Sequence, residues 1–186
     1  MTRTPEDIQD ELLVLQCQQG DREALRSLIT RWQPRLCRLA WRLTGERETA
    51  RDVVQDAWMA IMRGLGRLDD PARFRPWAYR IVSNKCADWT RRRVVQRSIT
   101  QNLQREVAST QANGPDETDS ANELARLRDA LAKLPEQQRA ALSLYYLEGM
   151  SVSDVARVLC VARGTVKSQL YNARGRLKKA LERTET

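Results

Sequence analysis

Histidine is absent from this chain of 186 residues. That removes the commonest general base, the commonest zinc ligand and the usual pH switch near neutrality. Aromatic residues make up only 5 %, and the 8 glycines and 6 prolines are too few for the many turns of an all-β domain. No apolar run approaches the ~20 residues that a membrane span needs. The stretch Met1 to Asp10 is polar and acidic, without the apolar segment of a secretory signal. A cytoplasmic protein with no membrane insertion is expected. Cys17, Cys37, Cys86 and Cys160 form no C-x-x-C pair, so reduced, mostly buried thiols are expected rather than disulfides or a metal site. With no metal-ligand cluster, no glycine-rich phosphate loop and no nucleophile–base pair in view, neither a cofactor nor enzymatic activity is expected.

What the chain has is positive charge, unevenly placed. The formal net charge is +8. Residues 1–97 carry 19 basic and 13 acidic side chains, residues 98–122 carry one and four, and residues 123–186 carry 12 and 7. Two basic blocks flank an acidic spacer, and a basic excess favours polyanions such as nucleic acid.

Both blocks have helical periodicity. Leu25, Leu28, Ile29, Trp32, Leu36, Leu39, Ala40 and Leu43 recur at steps of one, three and four, tracing one helix face. Asp21 is a good N-cap, Gly45 a plausible stop, and Pro34 predicts a kink or break between them. A second run carries Val53, Val54, Ala57, Trp58, Ile61, Met62 and Leu65. A third carries Phe74, Trp77, Ala78, Ile81, Val82 and Trp89, closing on Arg91-Arg92-Arg93. Residues 98–122 lose the pattern and have the composition of a flexible linker. Helical signals resume at Leu124, and Pro135 starts a further helix. Ser151-x-x-Asp154 resembles a capping box. No strand pattern competes. The expectation is an all-α fold in two small domains, residues 1–97 and 123–186, joined by residues 98–122.

Two short helices meet at the tight turn Cys160-Val161-Ala162, and the second is rich in polar side chains, which suggests a helix-turn-helix. Arg163, Thr165, Lys167, Ser168, Gln169, Asn172 and Arg174 offer donors to phosphates and base edges, while Val166, Leu170 and Ala173 face inward. By spacing alone, an ordinary amphipathic helix with a solvated polar face fits equally well.

The motifs decide between these. Leu134-Pro135-Glu136-x-x-Arg139-x-x-Leu142, Leu147-Glu148-Gly149-Met150-Ser151, Val155-Ala156 and Gly164-Thr165-Val166-Lys167-Ser168 together resemble region four of bacterial sigma factors. Gly20-Asp21-Arg22-Glu23-Ala24, Asp52-Val53-Val54-Gln55-Asp56-Ala57-Trp58, and Phe74 to Asn84 with Asp88 to Arg93 resemble region two. Order and spacing are similar to the extracytoplasmic-function (ECF) group, which has only these two regions. The resemblance spans about residues 15–95 and 124–182.

That resemblance implies an alternative sigma factor, which binds core RNA polymerase, recognises −35 and −10 promoter elements and opens the duplex. It implies that Asp52, Gln55, Asp56 and Met59 meet the clamp helices of the β′ subunit, with the β subunit as a further polymerase partner. Asn84, Lys85, Arg91, Arg92 and Arg93 would hold −10 DNA, the loop Gly66 to Arg73 walling a pocket for a flipped base. Trp77 reads as core rather than as a stacking platform. Arg163, Thr165, Lys167, Ser168, Gln169, Asn172 and Arg174 would meet −35 DNA, with Tyr171 facing either a thymine methyl or the backbone. An anti-sigma partner is common in the group. The chain departs from the family at Thr49-Ala50-Arg51-Asp52, where two acids are missing, at Cys160, where glycine is frequent, and at Gln169 and Asn172, where arginine is common. Thr49 reads either as an N-cap or as a site where phosphorylation would restore negative charge. A stand-alone helix-turn-helix regulator is the rival reading; it leaves the Asp52 and Trp77 blocks without a task.

Overall fold

The structure, a computed structural model, describes residues 4–101 and 129–182, and every regular element among them is helical. The elements are α1 (Pro5–Gln18), α2 (Arg22–Thr44), α3 (Arg47–Leu65), a 3-10 turn (Pro71–Arg73), α4 (Phe74–Gln101), a helical turn at residues 129–132, α5 (Glu136–Leu142) running into a π-turn (Ser143–Leu147), α6 (Val152–Leu159) and α7 (Arg163–Glu182).

Local chemistry accounts for most boundaries. At the start of α1, Thr4 Oγ1 accepts from Asp7 N at 3.2 Å and Asp7 Oδ2 accepts from Thr4 N at 3.0 Å, a reciprocal capping box. The backbone N–H of Thr4, more than any other group, holds the Asp7 carboxyl below its ordinary pKa. Asp21 Oδ1 caps α2 through Glu23 N and Ala24 N, and the helix stops at Gly45, whose φ of 82° suits glycine. Ser151 Oγ accepts from Asp154 N at 3.1 Å and opens α6.

Several expectations are corrected. Pro34 does not break α2, which runs through it for 23 residues. A proline inside a helix costs roughly 3 kcal/mol. Here Trp32 on one side and Leu36 and Leu39 on the other are fully buried, so packing holds the helix on both sides of the proline. Thr49 is not the N-cap of α3; Glu46 is, and Thr49 Oγ1 donates to Glu46 Oε2 at 2.9 Å from within the first turn. The third helix does not close at Arg93 but continues to Gln101, four residues past the expected boundary at 97. The remainder of the expected linker lies outside the described residues. The thiols are also less uniformly buried than expected: Cys86 is buried, Cys17 and Cys37 are half-buried and Cys160 is exposed. Burial pushes the Cys86 pKa up to about 12.

Trp32 anchors the interior. It is fully buried and makes edge-on contacts with Phe74 (centroids 5.2 Å apart) and Tyr79 (5.6 Å), tying α2 to α4. Trp77 packs as expected, half-buried against the core, its ring so close to Gly64 that a Cβ there would lie 2.8 Å from it. The buried apolar residues of both blocks form one continuous cluster, and α6 lies along α4.

Cys160 closes α6 in a left-handed conformation, φ 55° and ψ 43°, the one non-glycine residue with positive φ among those described. The conformation costs an L-residue about 1–2 kcal/mol, part of which glycine gives back in unfolded-chain entropy. Cys160→Gly is therefore expected to stabilise the fold by up to about 1 kcal/mol, read as a rise in thermal midpoint. A lowered midpoint would show that the thiol contributes packing that outweighs the strain.

Candidate polymerase and nucleic-acid interfaces

Three surfaces collect the residues singled out above. The first is on α3. Val53, Val54, Ala57, Trp58 and Ile61 are buried, which turns Asp52, Gln55, Asp56 and Met59 outward together. All four are exposed, Met59 at 50 %. Where the family carries acids, Thr49 is half-buried and Arg51 exposed. Met62, expected in the apolar run, is also exposed and extends the outward face towards the end of the helix.

The second surface is on α4 and adjoins the first. Asp52, Val53 and Asp56 line one cleft with Lys85, Asp88, Trp89 and Arg92. Anionic α3 and cationic α4 therefore meet along a single groove. Asn84 and Arg92 are exposed, and Lys85 is half-buried. Arg91 pairs with Asp88 one turn back, an exposed pair of the kind worth at most about 1 kcal/mol, which a phosphate can readily replace. Arg93 is held more firmly, pairing with Glu46 at 2.5 Å and stacking over Trp89 with its guanidinium 4.9 Å from the ring. The loop before α4 is anchored: Gln18 Nε2 donates to the carbonyls of Leu65 (3.0 Å) and Leu68 (2.8 Å), and Asp70 caps Ala72 and pairs with Arg73 at 3.1 Å.

The third surface is on α7. Arg163, Thr165, Lys167, Ser168, Tyr171, Asn172 and Arg174 are exposed, Tyr171 at 73 %, over buried Val166, Leu170 and Ala173. Gln169 is the correction. It is only 8 % exposed, its Nε2 donates to Gln137 Oε1 of α5 at 3.1 Å, and its own Oε1 is buried without a partner. Residues 166, 169, 170 and 173 form one helical stripe, so the spacing already places Gln169 inward although its chemistry suggests a base reader. Tyr145 and Tyr146 join this surface from outside the helix-turn-helix. They line a cleft with Lys167, Ser168, Tyr171 and Arg174, and Tyr146 and Leu147 are about half exposed. The π-turn that places them there carries no sequence signal distinct from that of the α-helix preceding it.

Comparison with known proteins agrees with this geometry. Residues 28–95 match the family model for sigma-70 region 2, and residues 124–177 match that for sigma-70, region 4. The ECF RNA polymerase sigma factor SigM of Mycobacterium tuberculosis is 36 % identical over 162 residues, covering 87 % of this chain and 79 % of that protein. The RNA polymerase sigma-H factor of Pseudomonas aeruginosa is 30 % identical, covering 94 % of each chain. Among solved structures, CnrH in complex with the cytosolic domain of CnrY superposes with a TM-score of 0.69 at 27 % identity, covering 94 % of this chain and 97 % of that one. Fold and surfaces thus define a two-region, sigma-70-type protein. The chain belongs to the extracytoplasmic-function sigma factors, and its function is that of an alternative sigma factor in transcription initiation.

Proposed function

We propose that this sigma factor docks on core RNA polymerase through Asp52, Gln55, Asp56 and Met59, and that the partner is the pair of clamp helices of β′. The observation that carries the reading is the outward face of α3, two carboxylates one turn apart beside an exposed methionine. A basic partner with an apolar centre would complement it. The neighbouring groove then delivers Asn84, Lys85, Arg91, Arg92 and Arg93 to −10 DNA beside the polymerase, where unstacked bases need edge and phosphate contacts. The half-exposed Tyr146 and Leu147 supply apolar surface for the second contact, with the β subunit. The protein works in the cytoplasm; no helix among the described residues is long and apolar enough to cross a membrane. A regulatory protein of the anti-sigma kind is a further expected partner, consistent with the similar CnrH having been solved in complex with part of another protein.

For −35 recognition, Thr165, Lys167, Ser168 and Asn172 take the base edges, Arg163 and Arg174 the phosphates, and Gln169 supports the helix from behind. A lost base contact costs roughly 1–3 kcal/mol and changes preference, whereas a lost phosphate contact weakens all sequences alike. Selection from a randomised −35 library tests this. Lys167→Ala is expected to relax preference at one position, Arg174→Ala to lower binding with preference intact, and Gln169→Leu to leave preference unchanged. Altered preference for Gln169→Leu together with unchanged preference for Lys167→Ala would reverse the assignment.

A further inference from the structure

The last residue of α1 reaches across to the loop that precedes α4. Gln18 Nε2 donates to the Leu65 carbonyl at 3.0 Å and to the Leu68 carbonyl at 2.8 Å. Leu65 closes α3, and carbonyls in the last turn of a helix have no partner further along it. A primary amide carries two N–H donors on one nitrogen, so a single side chain serves both oxygens. The turn between them is tight: Arg67 N donates to the Gly64 carbonyl at 3.0 Å and Leu68 N to the Leu65 carbonyl at 3.1 Å. The support behind Gln18 is firm. Val14 of α1 is fully buried, and Arg31 of α2 pairs at 2.6 Å with Asp10 of α1, a side chain only 9 % exposed. Beyond the turn, Asp70 is committed to Ala72 N and to Arg73. Between these two anchors, Arg67 and Asp69 are exposed.

The loop stands at one end of the α4 surface. Trp77, Arg80, Asn84 and Arg91 recur at helical spacing on one side of α4, and none of them is buried. Arg80 and Asn84 are exposed; Trp77 is half-buried, with its ring against Gly64 in the last turn of α3. Trp77 precedes Asn84 by two turns, about 10 Å along the helix. One stripe therefore runs from Arg91 through Asn84 and Arg80 to the base of the loop. A single strand lying along it would pass from phosphate contacts at the arginines to Arg67, whose paired donors suit guanine, and Asp69, whose acceptors suit cytosine. Reading a base edge requires those groups to be held within about 0.5 Å of the productive geometry, and an exposed loop does not supply that precision unaided. Resting on the assignment of α4 to −10 DNA above, we propose that Gln18 is a positioning residue for −10 base selection. It meets no DNA itself; by fixing the Leu65 and Leu68 carbonyls it sets where Arg67 and Asp69 stand against an unstacked base.

The test is run-off transcription by the whole chain with core polymerase, on templates that carry a −35 element selected with the wild type and a randomised −10 element. Gln18→Met keeps the size of the side chain and removes both donors. Gln18→Glu keeps the shape and sets a carboxylate against two carbonyl oxygens. Each should flatten base preference at one −10 position by about tenfold, the scale of one lost base contact. Preference at the other −10 positions, preference in a randomised −35 library and co-elution with core polymerase should stay as in the wild type. Gln18→Lys, whose ammonium can donate to the same carbonyls, should restore the preference, which a side chain needed only for packing would not do. Arg67→Ala or Asp69→Ala should flatten the same position. Unchanged −10 preference in Gln18→Met overturns the positioning role, as does a uniform fall in transcript with preference intact. Flattening at a position that neither Arg67→Ala nor Asp69→Ala affects overturns it too. A wild type without any −10 preference would instead overturn the assignment of α4, and this role with it.

Discussion

The Asp52→Arg, Asp56→Arg double variant is expected to lose co-elution with core RNA polymerase while keeping wild-type helicity. Both carboxylates are exposed and share one face of α3, so substitution removes no buried contact. Such surface changes usually shift stability by about 0.5 kcal/mol or less. At the interface the same change alters the local charge by four and sets like charges against a basic partner, which costs several kcal/mol. At about 1.4 kcal/mol per tenfold, a loss of at least about 100-fold in affinity follows. Because Lys85 and Arg92 line the same cleft, new arginines there would also repel their neighbours. The pair Asp52→Asn, Asp56→Asn is the control: it removes attraction without adding that repulsion, and it should bind with an intermediate affinity. Undiminished binding by the arginine variant would remove α3 from the interface.

Trp32→Ala should unfold region two or leave it barely stable. The ring is fully buried and is the point at which α2 meets Phe74 and Tyr79 of α4. Truncating a buried Trp to Ala costs about 3–5 kcal/mol, against a total of about 5–15 kcal/mol for a domain. Its Nε1 is buried without a hydrogen-bond partner, so the indole carries a polar cost that phenylalanine would not. Trp32→Phe is therefore expected to lose much less than Trp32→Ala, although it leaves some volume unfilled. The consequence extends to the proposed −10 surface, because α4 carries Asn84, Lys85 and the three consecutive arginines. Urea unfolding of the two variants checks the order; equal losses would mean that a phenyl ring recovers none of the packing and that only the intact indole fills the site.

Much of this was legible in the chain because it is local. Asp21, Gly45 and Ser151 announce helix ends through their own side chains or backbone freedom, and the period of the apolar residues turns Asp52, Gln55, Asp56 and Met59 to one face whatever lies beyond. The misreadings share a cause. Pro34 obeys packing on both sides of it rather than its own propensity. Glu46 and Thr49 both have the chemistry of a first-turn residue, and only the backbone decides which caps α3. For Gln169 the functional groups point to base contact, but its position on the 166–170–173 stripe is the stronger signal and turns it inward. The hydrogen bonds of Glu148 with Arg42, Arg75 and Tyr79 have no local signature, because those partners lie 106, 73 and 69 residues away in the chain. No periodicity carries information over such distances.

The central claim, that this sigma factor directs polymerase through the α3 face and the two nucleic-acid surfaces, is tested most directly by run-off transcription. Purified core polymerase is supplied with a template library in which the −35 and −10 elements are randomised. Addition of the wild-type protein should give transcripts from a selected subset of templates sharing both elements, and the Asp52→Arg, Asp56→Arg protein should give none. Promoter-specific transcript from that double variant at the wild-type level, or none from the wild type on any template, would contradict it.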